Sequence, residues 1–162
     1  MQNLLVLGIG NILLSDEGAG VRAVQYLMEH YRIPPQLTLI DGGTMGLEIL
    51  PYLEGKSHLF IVDAVASGQG AGHVSQKTLL DAGIFFRNKI SPHQLGISEV
   101  LSAATLTDCL PATIVLFGIE PKTLQAGLSF SAEVEKALPS LLKLLVQEIE
   151  ATGITLEPKT AS

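Results

Sequence analysis

NLLVLGIGNILLSDEGAG, residues 3–20, is the stretch that decides how this chain is expected to fold. The apolar run Leu4–Leu7 predicts a buried strand, the glycines after it predict a turn, and the pattern from Gly18 to Tyr31 predicts an amphipathic helix. Two acids, Asp16 and Glu17, stand at the start of that helix. Because α/β domains bind ligands just beyond the carboxyl end of a strand, both acids are candidate site residues.

The same order of strand and helix recurs along the rest of the chain. The segments predicted as strands are apolar runs without polar alternation, which is typical of strands that are covered on both sides. They are 37–40, 58–62 and 113–117, with a weaker strand pattern over 73–78. The fold class is therefore predicted to be α/β, a mainly parallel twisted sheet with helices on both faces.

The helix boundaries follow from capping residues and prolines. Thr44 is suited to cap a helix over Met45–Leu53, and Ser91-Pro92-His93-Gln94 is a favourable helix start that places His93 in the first turn. Apolar spacing marks a final helix through Ile149, with a kink or break expected near Leu138 because Pro139 follows it. One domain over residues 1–162 is expected, with a loose tail from about residue 153.

Composition excludes several classes of function. The chain of 162 residues carries a net charge of −6 and has no basic run, so nucleic acid and anionic membranes are poor candidate partners. No apolar run approaches the roughly 20 residues that cross a bilayer, so membrane insertion is not expected. Cys109 is the single cysteine, which favours a reduced, cytoplasmic location over a disulfide-bonded secreted one.

Acids follow each of the first three predicted strands. Asp16 and Glu17 come after the first, Asp41 closes the second, and Asp63 closes the third. Carboxylates gathered at one sheet edge repel one another until a proton or a cation neutralises them. Together with His93, Glu17 and Asp63 would form a ligand set of two carboxylates and one imidazole, which suits a divalent transition metal better than calcium or magnesium.

Each of these residues also has a purely structural interpretation. Glu17 is suited to complement a helix dipole, Asp41 before two glycines to form a turn, and His93 to be an ordinary first-turn residue. Asp63 is harder to explain in this way, because an acid directly after a buried strand is costly unless it is paired. A nucleotide- or metal-binding module without hydrolytic activity stays the alternative, although Leu13 occupies the position where a dinucleotide fingerprint needs its third glycine.

Four separate stretches, in this order and spacing, resemble the [NiFe]-hydrogenase maturation endopeptidases of the HybD type. They are GIGNILLSDEGAG at 8–20, DGGT at 41–44, DA at 63–64 and KISPHQLG at 89–96. The resemblance runs from Asn3 to about Pro158 and implies a twisted, mainly parallel sheet flanked by helices. It implies that the chain removes a short C-terminal peptide from the precursor of the hydrogenase large subunit after nickel insertion.

The resemblance also implies roles for individual residues. It assigns metal contact to Glu17, Asp63 and His93, the set that the strand ends select, and a further functional role to Asp41. The nickel is expected to be carried by the substrate, and another divalent metal could occupy the same site. Because a carboxylate crowded by others has a raised pKa, Asp41 or Asp16 could assist proton transfer to or from an attacking water. Asp41 closes its strand between the strand ends that supply Glu17 and Asp63, so we expect it to line the same cleft.

Overall fold

The computed structural model describes residues 2–43, 45–79 and 92–160, and for residues 92–96 and 98 it describes the helix backbone without the side chains. Its strands are β1 (Leu4–Ile9), β2 (Tyr31–Arg32), β3 (Leu37–Gly43), β4 (His58–Ala64), β5 (Val74–Leu79), β6 (Thr113–Ile119) and β7 (Glu157–Pro158). Its helices are α1 (Ala19–His30), α2 (Leu50–Leu53), α3 (Pro92–Leu106) and α4 (Ala132–Ala151), and short 3-10 turns cover Ser15–Gly18 and Leu47–Ile49.

The main sheet has the strand order β3-β1-β4-β6-β5. Every neighbouring pair from β3 to β6 is parallel, and β5 alone runs antiparallel along β6. This confirms the predicted mainly parallel sheet. Since parallel strands end at the same edge, the ends of β1, β3, β4 and β6 form a common carboxyl edge.

Two apolar cores cover the two faces of the sheet. On one face Val6, Phe60 and Phe117 pack with α1 and α4, and on the other Leu5, Ile61 and Leu116 pack with α2 and α3. The strands read as continuous apolar runs because neighbouring residues enter opposite cores. No helix among residues 2–43, 45–79 and 92–160 has the length and apolar character needed to cross a bilayer.

Glycine contacts bring α1 close to the sheet. A Cβ atom on Gly20 would collide with the carbonyl oxygens of Val62 in β4 and Ile9 in β1. The helix can therefore touch the backbone of both strands near the carboxyl edge, which a larger residue would prevent. The 3-10 turn that carries Asp16 and Glu17 directly precedes this contact and itself touches β4.

The boundaries of several elements differ from the sequence predictions. The helix predicted over Met45–Leu53 is instead a 3-10 turn followed by one turn of α-helix, and its predicted cap, Thr44, lies outside the described residues. The predicted start of α3 at Pro92 is confirmed, whereas its predicted cap, Ser91, also lies outside them.

Pro139 does not break the last helix, since α4 is continuous from Ala132 to Ala151. A proline inside a helix costs about 3 kcal/mol. Buried side chains on both sides of the proline, Val134 before it and Leu141 and Leu145 after it, bind the two halves of α4 to the same core. This packing offsets the lost helical hydrogen bond.

The prediction of a loose tail from residue 153 is wrong. Ile154 and Leu156 are buried in the core next to α4, and β7 pairs antiparallel with β2. The Lys159 side chain also donates a hydrogen bond to the carbonyl of Met28 at the end of α1. The C-terminal segment is thus held by the burial of Ile154 and Leu156 and by the pairing of β7 with β2.

Candidate functional site

Glu17 lies on the 3-10 turn between β1 and α1 and is only 6% exposed. The turn is held tightly against the glycine-rich segment before it. Gly10 has a φ of 132°, and a Cβ atom there would collide with the Glu17 carbonyl oxygen. Glycine is needed at position 10 both for this backbone conformation and for this close approach. The Gly-x-Gly sequence thereby fixes the segment that carries Glu17.

Asp63 is the penultimate residue of β4 and its side chain is fully buried. It is paired in register with Gly118 of β6. Leu59 and Ile61, which precede it at alternate positions, belong to the core under α2 and α3. Alternation along a strand therefore directs Asp63 to the face of the sheet that α3 covers.

His93 lies in the first turn of α3, as the sequence predicts. Its side chain lies outside the described residues. Helix α3 packs on the same face of the sheet as Asp63, and it follows β5 in the order of described elements. Among the described side chains, which do not include that of His93, no three His, Cys, Asp or Glu residues form a metal-binding group.

Asp41 lies on the opposite face of the sheet from Asp63. It is paired in register with Gly8, and Leu37 and Leu39 at alternate positions of β3 pack against the α1 side. Accordingly Asp41 accepts a hydrogen bond of 3.1 Å from the amide of Gln25 in α1. Gln25 in turn accepts one of 3.1 Å from the Arg22 guanidinium.

The strand order also places Asp41 differently from the sequence prediction. Its strand, β3, is the edge of the sheet, and β1 lies between β3 and β4. Asp41 is therefore not between the strand ends that lead to Glu17 and Asp63. Two strand spacings, about 10 Å, separate the backbone of β3 from that of β4. Asp41 is exposed, so substrate could reach it over the carboxyl edge.

Asp16 is fully buried and accepts four hydrogen bonds. Oδ1 accepts from the Ser131 amide at 2.7 Å, and Oδ2 accepts from the Ser131 hydroxyl at 2.8 Å and from the amides of Lys122 and Thr123 at 2.9 and 3.1 Å. Ser131 also caps α4, since its hydroxyl accepts from the Val134 amide. Asp16 thus joins the turn that carries Glu17 to the segment 122–131.

The charge of Asp16 is stabilised rather than suppressed. Burial raises the pKa of this carboxyl group, but the hydrogen bonds from Ser131, Lys122 and Thr123 outweigh burial, so the pKa lies below its ordinary value of 3.8. The expectation of a raised pKa is therefore wrong for Asp16. Because the Asp16 carboxylate already accepts four hydrogen bonds, we infer that it holds the segment 122–131 in place and does not transfer protons.

Replacement of Asp16 by Asn is expected to destabilise the fold at pH 7 by about 1–3 kcal/mol, because the new amide group would face backbone donors. A lowered folded-state pKa stabilises the fold above the ordinary value of 3.8 and loses this effect as pH falls through the lowered value. The gap in unfolding free energy between wild type and Asp16→Asn should therefore narrow below about pH 4. Urea unfolding of both proteins at pH 7 and below about pH 4 measures this difference in unfolding free energy.

The matched control for this substitution is Glu150→Gln, a neutralisation of an exposed acid in α4. It should change the unfolding free energy by less than about 0.5 kcal/mol at either pH. An Asp16→Asn variant that is as stable as Glu150→Gln at pH 7 would contradict the proposed role of the four hydrogen bonds.

Three parts of the chain that support the carboxyl edge of the sheet were not identified from the sequence. Glu120 accepts hydrogen bonds from the Ser67 hydroxyl and from the amides of Gly68 and Gln69, and thereby holds the loop after Asp63. These bonds lower the pKa of Glu120, the Ser67 bond most. Gln25 and the segment 122–131 are the other two. Glu120 stands at a strand end, which is a usable sequence signal, but nothing local marks Gln25.

Comparisons with known proteins agree with this architecture. Residues 21–148 match the family model described as hydrogenase maturation protease. The chain is 38% identical over 160 residues to hydrogenase 2 maturation protease of Escherichia coli K12, covering 98% of this chain and 97% of that protein. It is 37% identical to the hydrogenase expression/formation protein HupD of Bradyrhizobium diazoefficiens, covering 98% of this chain and 83% of that protein.

The fold has a solved counterpart. The structure of the hydrogenase maturating endopeptidase HybD from E. coli superposes with a TM-score of 0.91 at 36% identity, covering 99% of this chain and 100% of that one. The similarity therefore includes the carboxyl edge as well as the supporting sheet and helices. Sequence and structure together show that the chain belongs to the hydrogenase maturation proteases, a family of peptidases.

Proposed function

We propose that the chain is an endopeptidase that removes the C-terminal extension of the [NiFe]-hydrogenase large-subunit precursor after nickel insertion. The observation that carries this proposal is the match, over 98% of the chain, to a hydrogenase 2 maturation protease. The carboxyl edge gives the proposal a chemical basis, since Glu17 and Asp63 are buried carboxylates and carboxylate oxygens are ligands of divalent metals.

In this proposal, Glu17, Asp63 and His93 hold the nickel of the substrate. Two carboxylates and an imidazole are a donor set that fits a divalent transition metal and leaves coordination positions for the precursor's own ligands. Support comes from the burial of Glu17 and Asp63 and from the start of α3 on the Asp63 face. The metal would then serve as the handle by which the enzyme distinguishes the loaded precursor. Another divalent metal could use the same ligands.

The chemical step is a hydrolysis. A water oxygen attacks the carbonyl carbon of the scissile peptide, the C–N bond breaks, and a proton passes to the leaving amine. Bound nickel would polarise the carbonyl or acidify water. In this proposal the proton acceptor is Asp41, which is exposed at the end of β3 and accepts a hydrogen bond from Gln25; it takes the water proton and returns it to the amine. Asp16 acts in this scheme by holding the Glu17 turn, not by transferring protons.

The substrate and compartment follow from the same proposal. The partner is the large-subunit precursor, with no role for nucleic acid or membrane insertion. A single cysteine and an acidic chain are consistent with processing in the cytoplasm, where the precursor would acquire its metal.

The test is incubation of the purified chain with nickel-loaded and nickel-free precursor, followed by intact-mass measurement. The loaded precursor should lose its C-terminal extension, and the nickel-free one should keep its mass. An unchanged loaded precursor would contradict the proposed activity. Tight calorimetric binding of a nucleotide without cleavage would favour the alternative of a binding module.

A further inference from the structure

The rim beside the Asp16 turn exposes several large apolar side chains. Residues 11–15 run beside residues 125–127, held by backbone bonds between Leu13 or Ser15 and Gly127 and by the Ser15 hydroxyl, which donates to the Gln125 carbonyl at 2.7 Å. Four large apolar side chains on or directly next to these segments remain exposed and are called the apolar rim: Ile12, Leu13, Leu124 and Leu128.

The apolar rim is a rigid surface, not two loose loops. Asp16 binds the far segment through Lys122, Thr123 and Ser131, at both ends of the stretch that carries Leu124 and Leu128. The buried, charged side chain of Asp16 thus fixes the segment on which Leu124 and Leu128 are exposed to solvent. Exposed apolar side chains on neighbouring segments mark interaction sites in proteins, and a rigid surface loses little entropy when it binds.

A cleft lies beside the apolar rim. It has a volume of about 490 Å³, and its lining includes the apolar residues Ile12 and Leu128 and the polar residues Arg22, Gln25 and Glu135. Gln25, which lines the cleft, is also the residue that donates to Asp41, the proposed proton acceptor. A chain lying in this cleft would therefore pass beside the residue that contacts Asp41.

We propose that this cleft, named the Leu128 cleft, binds an extended segment of the precursor polypeptide with a large apolar side chain against Ile12 and Leu128. The inference rests on the proposed function and adds a binding site distinct from the metal ligands. The occupant is a polypeptide because the lining combines apolar with hydrogen-bonding side chains: Ile12 and Leu128 take an apolar side chain, and Arg22 and Gln25 offer polar groups to its backbone. Gln25, which lines the cleft and donates to Asp41, connects this segment to the reacting edge.

The test compares steady-state cleavage of the nickel-loaded precursor by wild type, Leu128→Asp and Leu106→Asp. Leu128 is 79% exposed and Leu106, at the end of α3, is 88% exposed, so both substitutions add the same charge to water-facing positions. Leu128→Asp should raise KM about tenfold, the effect of losing one good apolar contact, with kcat within a few-fold of wild type. Leu106→Asp should leave both unchanged. Ile12→Ser should shift KM in the same direction as Leu128→Asp, and thermal unfolding checks that each variant is folded.

An unchanged KM for Leu128→Asp with active wild type would overturn the cleft proposal and leave the proposed function standing. An equal rise in KM for Leu106→Asp would also overturn it, since the effect would then be one of charge alone. If sedimentation shows a wild-type dimer that Leu128→Asp disperses without a change in KM, the rim joins two copies of the chain and the proposal is wrong. Failure of the wild type to cut loaded precursor would refute the proposed function and this inference together.

Discussion

Asp63→Asn is expected to weaken nickel binding by about 100-fold or more and to abolish measurable cleavage of the loaded precursor, and Glu17→Gln and His93→Ala should do the same. Loss of an outer partner of a metal ligand already costs about 10- to 100-fold in affinity, and removal of a ligand itself should cost at least as much. The Gln and Asn replacements keep the side-chain volume, so packing around the buried positions is retained. Calorimetric titration with nickel measures the affinity, and intact-mass analysis measures the cleavage.

The matched control is Glu48→Gln, an exposed acid on the 3-10 turn before α2. It should bind nickel and cut precursor as wild type does. Nickel affinity should also fall as pH drops through the range in which carboxylate and imidazole ligands take up protons. Wild-type affinity in a triple variant of the three ligands would eliminate this site.

The same ligand set makes a prediction about stability. Buried apolar side chains form a core on each face of the sheet, and this packing is sufficient to hold the fold, so a chelator should leave the far-UV circular dichroism spectrum and the unfolding midpoint unchanged. Loss of helical signal on chelation would instead indicate a structural metal.

Asp41→Asn should separate catalysis from metal binding. The asparagine keeps the shape and can still accept the hydrogen bond from Gln25, but it cannot take a proton from water. General acid–base groups contribute about 10²- to 10⁴-fold, so kcat for the loaded precursor should fall within that range. Nickel affinity should stay within a few-fold of wild type, because Asp41 and Asp63 lie on opposite faces of the sheet with β1 between their strands.

Two outcomes would contradict this division of roles. Normal cleavage by Asp41→Asn would reduce Asp41 to a strand-end residue held by α1. A loss of nickel affinity as severe as that of Asp63→Asn would make Asp41 a ligand. Gln25→Leu, which removes the hydrogen bond but leaves the carboxylate, should lower kcat less than Asp41→Asn does.

The sequence by itself determined the parallel strands, the first helix and the acids at the strand ends. The apolar run over Leu4–Leu7, the glycines after it and the helical spacing that follows are local patterns, and local backbone preference is sufficient to specify them. The start of α3 at Pro92 was equally readable from its capping sequence. Asp63 was identifiable because it directly follows an apolar strand.

Tertiary structure decided which of these acids share a face and which are exposed. Asp41 and Asp63 both close parallel strands, but strand order and pairing register determine the face that each occupies, and no sequence window contains that information. Asp16 and Glu17 are adjacent and alike in sequence. Asp16 became a buried anchor because donors 106 to 115 residues further along the chain close around it. Such contacts form only when distant segments pack together, which is why local composition predicted the strand ends and only the packed fold distinguished the roles of the acids on them.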